Sequence, residues 1–378
     1  MIIDFLWYSC IGIFSIASIL QISYWALVAH TLLFHKEDKR TECPLYGVSI
    51  VIAAHQEYNN LTKLIPLLLQ QQYFQYEIIV ANDRSTDETE IYLSSIKNPK
   101  LRPLHITSPP PDIHPKKWAL WQAIKMAKYE IVLLTDADCI PESKQWIAEM
   151  QAQFQPQTMI VLGVSPYFTA KTWLNLFIRY ETAHTAAQYL TAAACGYATM
   201  GVGRNVAYRK KFYLENLNKV QHLQHLVGGD DDLFINHTAT KDNIAIAYQA
   251  KTLVHSFPKT TFRDWFRQKK RHLAVGKYYP SKAKIILGLL QITNLCTEIF
   301  WIIIGISYQT KMNWAFIFII HLIYFVKMCI FVLVFHKIAH ITKQPIQRRL
   351  LPILNWIYII YWIIVGTLSF KNKTKQWR

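Results

Sequence analysis

The two ends of this chain cannot be built like its middle. Residues 5–29 and 350–370 carry no charged side chain. At a rise of about 1.5 Å per residue, such runs cross the roughly 30 Å hydrocarbon core of a bilayer as helices. Two further apolar runs, 285–308 and 312–335, carry one ionisable group each, Glu298 and Lys327. An ionisable group inside a span is costly, so each is expected to face a helix partner or a polar path. The N-terminal run does not read as a secretory signal: only Asp4 precedes it and no A-x-A site ends it. The organisation expected is an anchor over 1–36, a soluble domain over 44–280, a membrane region of about three spans over 284–370, and a basic tail over 371–378.

Loop charge gives the orientation. His35-Lys36-Glu37-Asp38-Lys39-Arg40 follows the first run, and Lys337, Lys343, Arg348 and Arg349 lie between the last two. Both loops read as cytoplasmic, which puts the soluble domain in the cytoplasm. Four spans would leave the tail, with Lys371, Lys373, Lys375 and Arg378, on the outside against the same rule, unless one C-terminal segment is re-entrant or interfacial.

Lys and Arg number 41 against 24 Asp and Glu, a formal charge of +17. The basic residues are spread over loops and membrane flanks with no nucleic-acid-binding signature, so attraction to anionic lipid headgroups accounts for them and a nucleic-acid partner is excluded. The six cysteines show no CxxC or metal spacing and read as free thiols of a reducing compartment. His184, His222, His225 and His237 lack ligand spacing and read as structural or surface groups.

The middle alternates strand and helix. Val48–Ala53 is an apolar β-rich run, and residues 59–72 place Leu61, Leu64, Ile65 and Leu68 at helical spacing. Tyr76–Ala81 reads as a second strand, and Ser85-Thr86-Asp87-Glu88 as a capping box opening a helix. Residues 116–128 read as a helix, 130–135 as a third strand and 158–163 as a fourth. This pattern predicts an α/β domain with a mostly parallel sheet. Ligands of such sheets bind beyond the carboxyl ends of the strands, and three strands here end in polar groups: His55 and Glu57, Asp83, and Asp136 with Asp138.

With so few acids in the chain, their clustering carries the chemistry. Asp136-Ala137-Asp138 ends an apolar strand, and two carboxylates so spaced can share a hard cation that also holds a diphosphate. Asp83 can accept hydrogen bonds from a nucleobase or ribose. Asp230-Asp231-Asp232 follows Gly228-Gly229. Mutual repulsion raises at least one of these pKa values and suits a carboxylate to general-base work. In Gln268-Lys269-Lys270-Arg271-His272, Arg271 can stabilise diphosphate charge and Gln268 can hydrogen-bond an acceptor.

Seven segments in order resemble the membrane-bound, inverting family-two glycosyltransferases, the group that includes cellulose, chitin and hyaluronan synthases and ceramide glucosyltransferase. They are VSIVIAAHQE, EIIVANDRSTDET, KKWALWQAI, LLTDADCIP, GVGRNVAYRKKFY, GGDDDLFI and QKKRH, spread over about 45–280. The resemblance implies a GT-A-type nucleotide-sugar-binding domain flanked by transmembrane helices, a nucleotide-diphosphate sugar donor, and Mg or Mn. On the donor side it implies Ala53, His55, Glu57, Asp83, Lys117, Asp136 and Arg271, with Asp136 and Asp138 on the metal. On the acceptor side it implies Arg204, Asn205, Gln268 and His272. The family's E-D pair falls on Asp230-Asp231 or Gly229-Asp230, depending on register. Asp231 is preferred as the base, with Asp230 beside it, because Leu233 and Phe234 then fall where the family is apolar. His272 stands where the family's Q-x-x-R-W has tryptophan. The implied reaction transfers sugar to a lipid or lipid-linked acceptor, in an integral protein of the bacterial inner membrane. A processive polysaccharide synthase and a non-catalytic scaffold retaining the fold are the alternatives. Oligomeric state is open.

Overall fold

The computed structural model describes residues 2–34, 45–306 and 314–370. The loop from His35, the tail from Lys371 and Cys43 lie outside them. Helix α1 (Ile2–Leu32) leads into the soluble domain. Strands β1 (Val48–Ala54), β2 (Tyr76–Asp83), β3 (Leu101–Ile106) and β4 (Ile131–Leu134) alternate with helices α2 (Tyr58–Leu69), α3 (Thr89–Ser95) and α4 (Pro115–Met126). Then follow β5 (Cys139–Pro141), α5 (Trp146–Gln151), β6 (Ile160–Leu162), α6 (Trp173–Ala194), β7 (Val206–Arg209) and α7 (Lys210–Asn216). The domain closes with α8 (Asp232–Thr238), β8 (Ile244–Ile246), β9 (Val254–Ser256) and α9 (Phe262–Ala274).

Seven strands form one sheet in the order β3-β2-β1-β4-β7-β6-β8. Within it β7 runs against both of its neighbours, and every other pairing is parallel. The mostly parallel α/β sheet expected from the sequence is therefore present. β5 and β9 pair separately and antiparallel. Every residue of β1 and β2 is buried, which is why both read as largely apolar runs: helices cover both faces of a parallel sheet, and the polar exceptions within those runs, Ser49 and Glu77, bond each other at 2.7 Å. One face packs Ile50, Ile52, Ile78 and Val80 against Leu61, Leu64 and Leu68 of α2. The other packs Val51, Ile79 and Val132 against α4 and α6.

One local expectation fails. Ser85 does not cap a helix: α3 begins at Thr89, and Glu88 before it makes no capping bond. The Ser85 hydroxyl instead accepts the Gln56 backbone N–H at 3.0 Å, and the Gln56 side chain bonds Thr86 Oγ1 and the Asp87 N–H. The local capping pattern yields to a tie between the loops that follow β1 and β2.

Helices α10 (Ser281–Ile306), α11 (Trp314–Ile341) and α12 (Leu351–Phe370) complete the chain. They and α1 are the four described helices long and apolar enough to cross a membrane. Glu298 and Lys327 find each other: Nζ lies 2.6 Å from Oε1, while the Tyr324 hydroxyl donates to Oε2 at 2.7 Å. Asn355 of α12 adds a third donor at 3.2 Å. The apolar cluster under the sheet continues through Tyr180 and Ala187 of α6 to Trp25 of α1, Phe331 and Phe335 of α11, and Tyr358 of α12. The described cysteines are free thiols.

Candidate active site

The carboxyl ends of β1, β2 and β4 converge. The His55 ring bonds the Asp83 carbonyl at 2.6 Å, and the Glu57 N–H donates to Thr89 Oγ1 at 3.2 Å. Ala53, buried in β1, pairs in register with Ala81. Asp83 is fully buried, and both its oxygens are held by its neighbour Arg84, from Nε at 2.8 Å and Nη2 at 3.1 Å. Arg84 reaches back this way from a backbone φ of 53°, in the left-handed region.

Asp136 and Asp138 follow β4. The ammonium of Lys116, on α4, sits 2.9 Å from Asp136 and 3.9 Å from Asp230, bridging the strand end to the acidic turn. Lys117 turns the other way and donates to the Leu223 carbonyl at 3.0 Å. The sequence reading singled out Lys117 and passed over Lys116. Adjacent residues on a helix point about 100° apart, so only one of the two can bridge these acids. Arg204 lies over the Tyr167 ring at 4.6 Å, within electrostatic reach of Asp138 and Asp136.

The acidic turn begins at Gly228 and Gly229, with φ of 85° and 70°. Side chains rarely adopt such angles, and a Cβ on Gly229 would also collide with Val275 and Leu233. The three carboxylates that follow diverge. Asp230 faces Lys116. Burial drives its pKa up, but Lys116 and Lys117 outweigh burial and hold it below the ordinary carboxylate range. Asp231 turns inward and accepts the Gly203 N–H. Burial, then the charge of Asp230, pushes its pKa up to about 6. Asp232 accepts the Gly201 N–H at 3.3 Å and the Tyr279 hydroxyl at 2.8 Å, and burial with Asp231 raises it well above the carboxylate range.

Helix α9 ends in its C-cap Val275, whose side chain lies against Gly228 and Gly229 of the acidic turn. Its Lys269 is buried in an ion pair with Glu181 of α6. Gln268, Arg271 and His272 follow at one-turn spacing on the same helix. His272 is open to water on one side. Crowding by the surrounding protein, then Lys269, Arg271, Arg204 and Lys116, holds its imidazole well below the ordinary pKa. The charge of Arg271 also reaches His114, whose imidazole burial lowers to about 4.

Asn205 does not join this group. It is fully buried, accepts from Trp146 Nε1 at 3.1 Å, and donates to the carbonyls of Val164 and Thr252, each at 2.8 Å. Asn205→Ala leaves the Trp146 indole N–H and the Thr252 carbonyl unpaired at about 1–3 kcal/mol each, while the Val164 carbonyl keeps the Val254 N–H at 3.3 Å. The substitution is expected to lower the thermal midpoint by several degrees while leaving the acceptor KM of the surviving folded protein unchanged. A KM shift without destabilisation would put Asn205 back in the site.

Among the described residues no cluster of three His, Cys, Asp or Glu could hold a metal. Asp136 and Asp138 are nevertheless the hard oxygen ligands that Mg or Mn takes when phosphate oxygens complete the shell. The pair therefore fits a cation that arrives with a diphosphate.

The family model described as Glycosyltransferase like family 2 matches residues 44–274. No curated protein matches the sequence. Among solved structures, the mannosyltransferase PcManGT from Pyrobaculum calidifontis, in complex with GDP-Man and Mn2+, is 15% identical with a TM-score of 0.56, covering 94% of this chain and 99% of its own. TarS 1-349 from S. aureus, in complex with UDP-GlcNAc, is 14% identical with a TM-score of 0.42, covering 86% of this chain and 89% of its own.

Proposed function

Because the chain belongs to glycosyltransferase family 2 and has a GT-A-type sheet, we propose that it moves a sugar from a nucleotide-diphosphate donor to a hydroxyl of a lipid or lipid-linked acceptor, with inversion, from a cytoplasmic catalytic domain. The observation that carries the acceptor class is the bond from the Tyr279 hydroxyl to Asp232 at 2.8 Å. Only Pro280 separates Tyr279 from Ser281, the first residue of α10. In this reading the acidic turn stands at the mouth of the membrane region, where a headgroup hydroxyl would arrive without its chains leaving the bilayer.

In this reading Asp83 receives the base or ribose once Arg84 lets go of it. Lys116 and Arg271 meet the diphosphate. A divalent cation, Mg or Mn, held by Asp136 and Asp138 would neutralise charge on the departing diphosphate; the Mn2+ of PcManGT supports that choice, and its GDP-Man supports the donor class. A carboxylate of the acidic turn takes the acceptor proton, the acceptor oxygen bonds to the anomeric carbon, and the bond from that carbon to the diphosphate oxygen breaks on the opposite face. We read Asp230 as the base in place of the expected Asp231, because its carboxylate faces Lys116 while Asp231 is turned to the Gly203 N–H. Asp231 is the second reading, favoured by its pKa of about 6. As the diphosphate draws Lys116 away, Asp230 gains basicity when the donor is in place.

Membranes containing the protein, given labelled nucleotide sugars and Mn, test the reading. Label that partitions into organic solvent and is lost with Asp230→Asn supports it and names the sugar. Long water-soluble product would replace it with a polysaccharide synthase, and donor binding without turnover would replace it with a scaffold. Asp138→Asn is expected to weaken metal-dependent donor binding at least tenfold by calorimetry, with metal-free binding unchanged. Equal loss with and without metal would remove Asp138 from the cation site.

A further inference from the structure

We propose that α12 lies along the membrane surface instead of crossing the bilayer, so that α1, α10 and α11 are the spans and the C-terminal tail stays on the side of the catalytic domain. By length and composition α12 qualifies as a span, but its neighbours are the wrong ones. The three other helices pack on one another, α1 against both α10 and α11. Gln21 of α1 bonds the Leu290 carbonyl and Thr293, and Phe14 lies with Ile304, so α1 and α10 run antiparallel through the same layer. The main partner of α12 is instead α9. Tyr361 meets Trp265 with ring centroids 5.4 Å apart and Phe177 of α6 at 5.5 Å. Asn355 and Tyr358, in the first half of α12, reach α10 through Asn294, Glu298 and Gln291.

Helix α9 carries Arg263, Arg267, Lys270 and Arg271, with Arg263 and Arg267 exposed. A helix so charged has no place in hydrocarbon. The half of α12 around Tyr361, packed along it, is therefore held at headgroup depth, while Asn355 dips to the level of Glu298. The opposite face of α12 exposes Ile353, Ile357, Ile360 and Ile364 at helical spacing. Its occupant is the acyl layer beneath, continuous with the lipid around α10 and α11. A helix with one face on protein and the other on acyl chains is an interfacial helix. The charge distribution agrees independently. Three spans bring Lys371, Lys373, Lys375 and Arg378 to the side of the basic loops, where the positive-inside rule wants them.

The test uses the full chain in sealed vesicles of one orientation and needs no turnover, so it is independent of the proposed activity. An epitope fused after Arg378 is expected to be reached by a protease under the same conditions as a Lys211→Cys label, on an exposed position of the catalytic domain. The same epitope inserted after Gln309, between α10 and α11, is expected to be protected. A tail protected together with Gln309 overturns the proposal, as does a Gln309 epitope on the Lys211 side. Ile360→Lys adds a second measurement. On an interfacial helix the lysine stem snorkels the short distance from the acyl-facing side to the headgroups, and the membrane level of the protein stays within about twofold of the parent; as the midpoint of a span the same charge costs insertion, and a loss of more than tenfold overturns the proposal.

Discussion

Asp230→Asn is expected to lower sugar transfer by about 10²- to 10⁴-fold, the usual worth of a positioned general base, with donor affinity unchanged. The side chain keeps its size and loses only its ability to take a proton. Asp231→Asn is expected to cost less than tenfold, because an amide oxygen can still accept the Gly203 N–H that Asp231 now holds. The pH dependence of kcat/KM separates the two readings. Lys116 and Lys117 hold Asp230 below the ordinary carboxylate range, so a base at Asp230 keeps the profile flat down through pH 5. A base at Asp231 bends it near pH 6, with activity lost as the carboxylate protonates below that point. A wild-type bend near 6, with the larger loss in Asp231→Asn, would transfer the role to Asp231.

Lys327→Met is expected to destabilise the membrane bundle by about 3–5 kcal/mol, the cost of leaving a buried carboxylate without its counter-charge. Glu298 is fully buried and its pair with Lys327 spans 2.6 Å, so no water is at hand to replace the ammonium. The double variant Glu298→Gln with Lys327→Met is expected to recover most of that loss, since the remaining amide keeps Tyr324 and Asn355 as partners. Thermal unfolding followed by tryptophan fluorescence in detergent measures both. A single variant as stable as the parent would show the pair to be dispensable. A double variant no better than the single would show that the hydrogen bonds, and not the charges, hold α10 to α11.

What could be read in advance follows from how far each signal acts. β1, β2 and β4 were legible because burial on both faces writes itself into the local sequence as an apolar run. Their polar ends were legible for the same reason, since a polar group after such a run is conspicuous. The choice between Lys116 and Lys117 was not, because it depends on the rotation of α4 against the sheet, which no local pattern records. Ser85 misled because a side chain that can cap a helix can equally tie two loops, and the partner Gln56 lies 29 residues away. The partner expected for Glu298 or Lys327 proved to be the other of the two, since the least costly place for a charge in lipid is beside its opposite. Asn205 stood in a motif expected at the acceptor side and became a core group, because Val164 and Thr252 present carbonyls that nothing nearer in sequence satisfies.

The apolar cluster that runs unbroken from the sheet through α6 into α1, α11 and α12 has a kinetic consequence. A catalytic domain packed this way cannot swing out to fetch its substrate, so the cleft stays at one height above the lipid. For an acceptor embedded in the bilayer, encounter then becomes a two-dimensional search. The concentration that governs saturation is the mole fraction of acceptor in the leaflet, not its amount per volume, and diluting the membrane with inert lipid slows the reaction as surely as removing substrate.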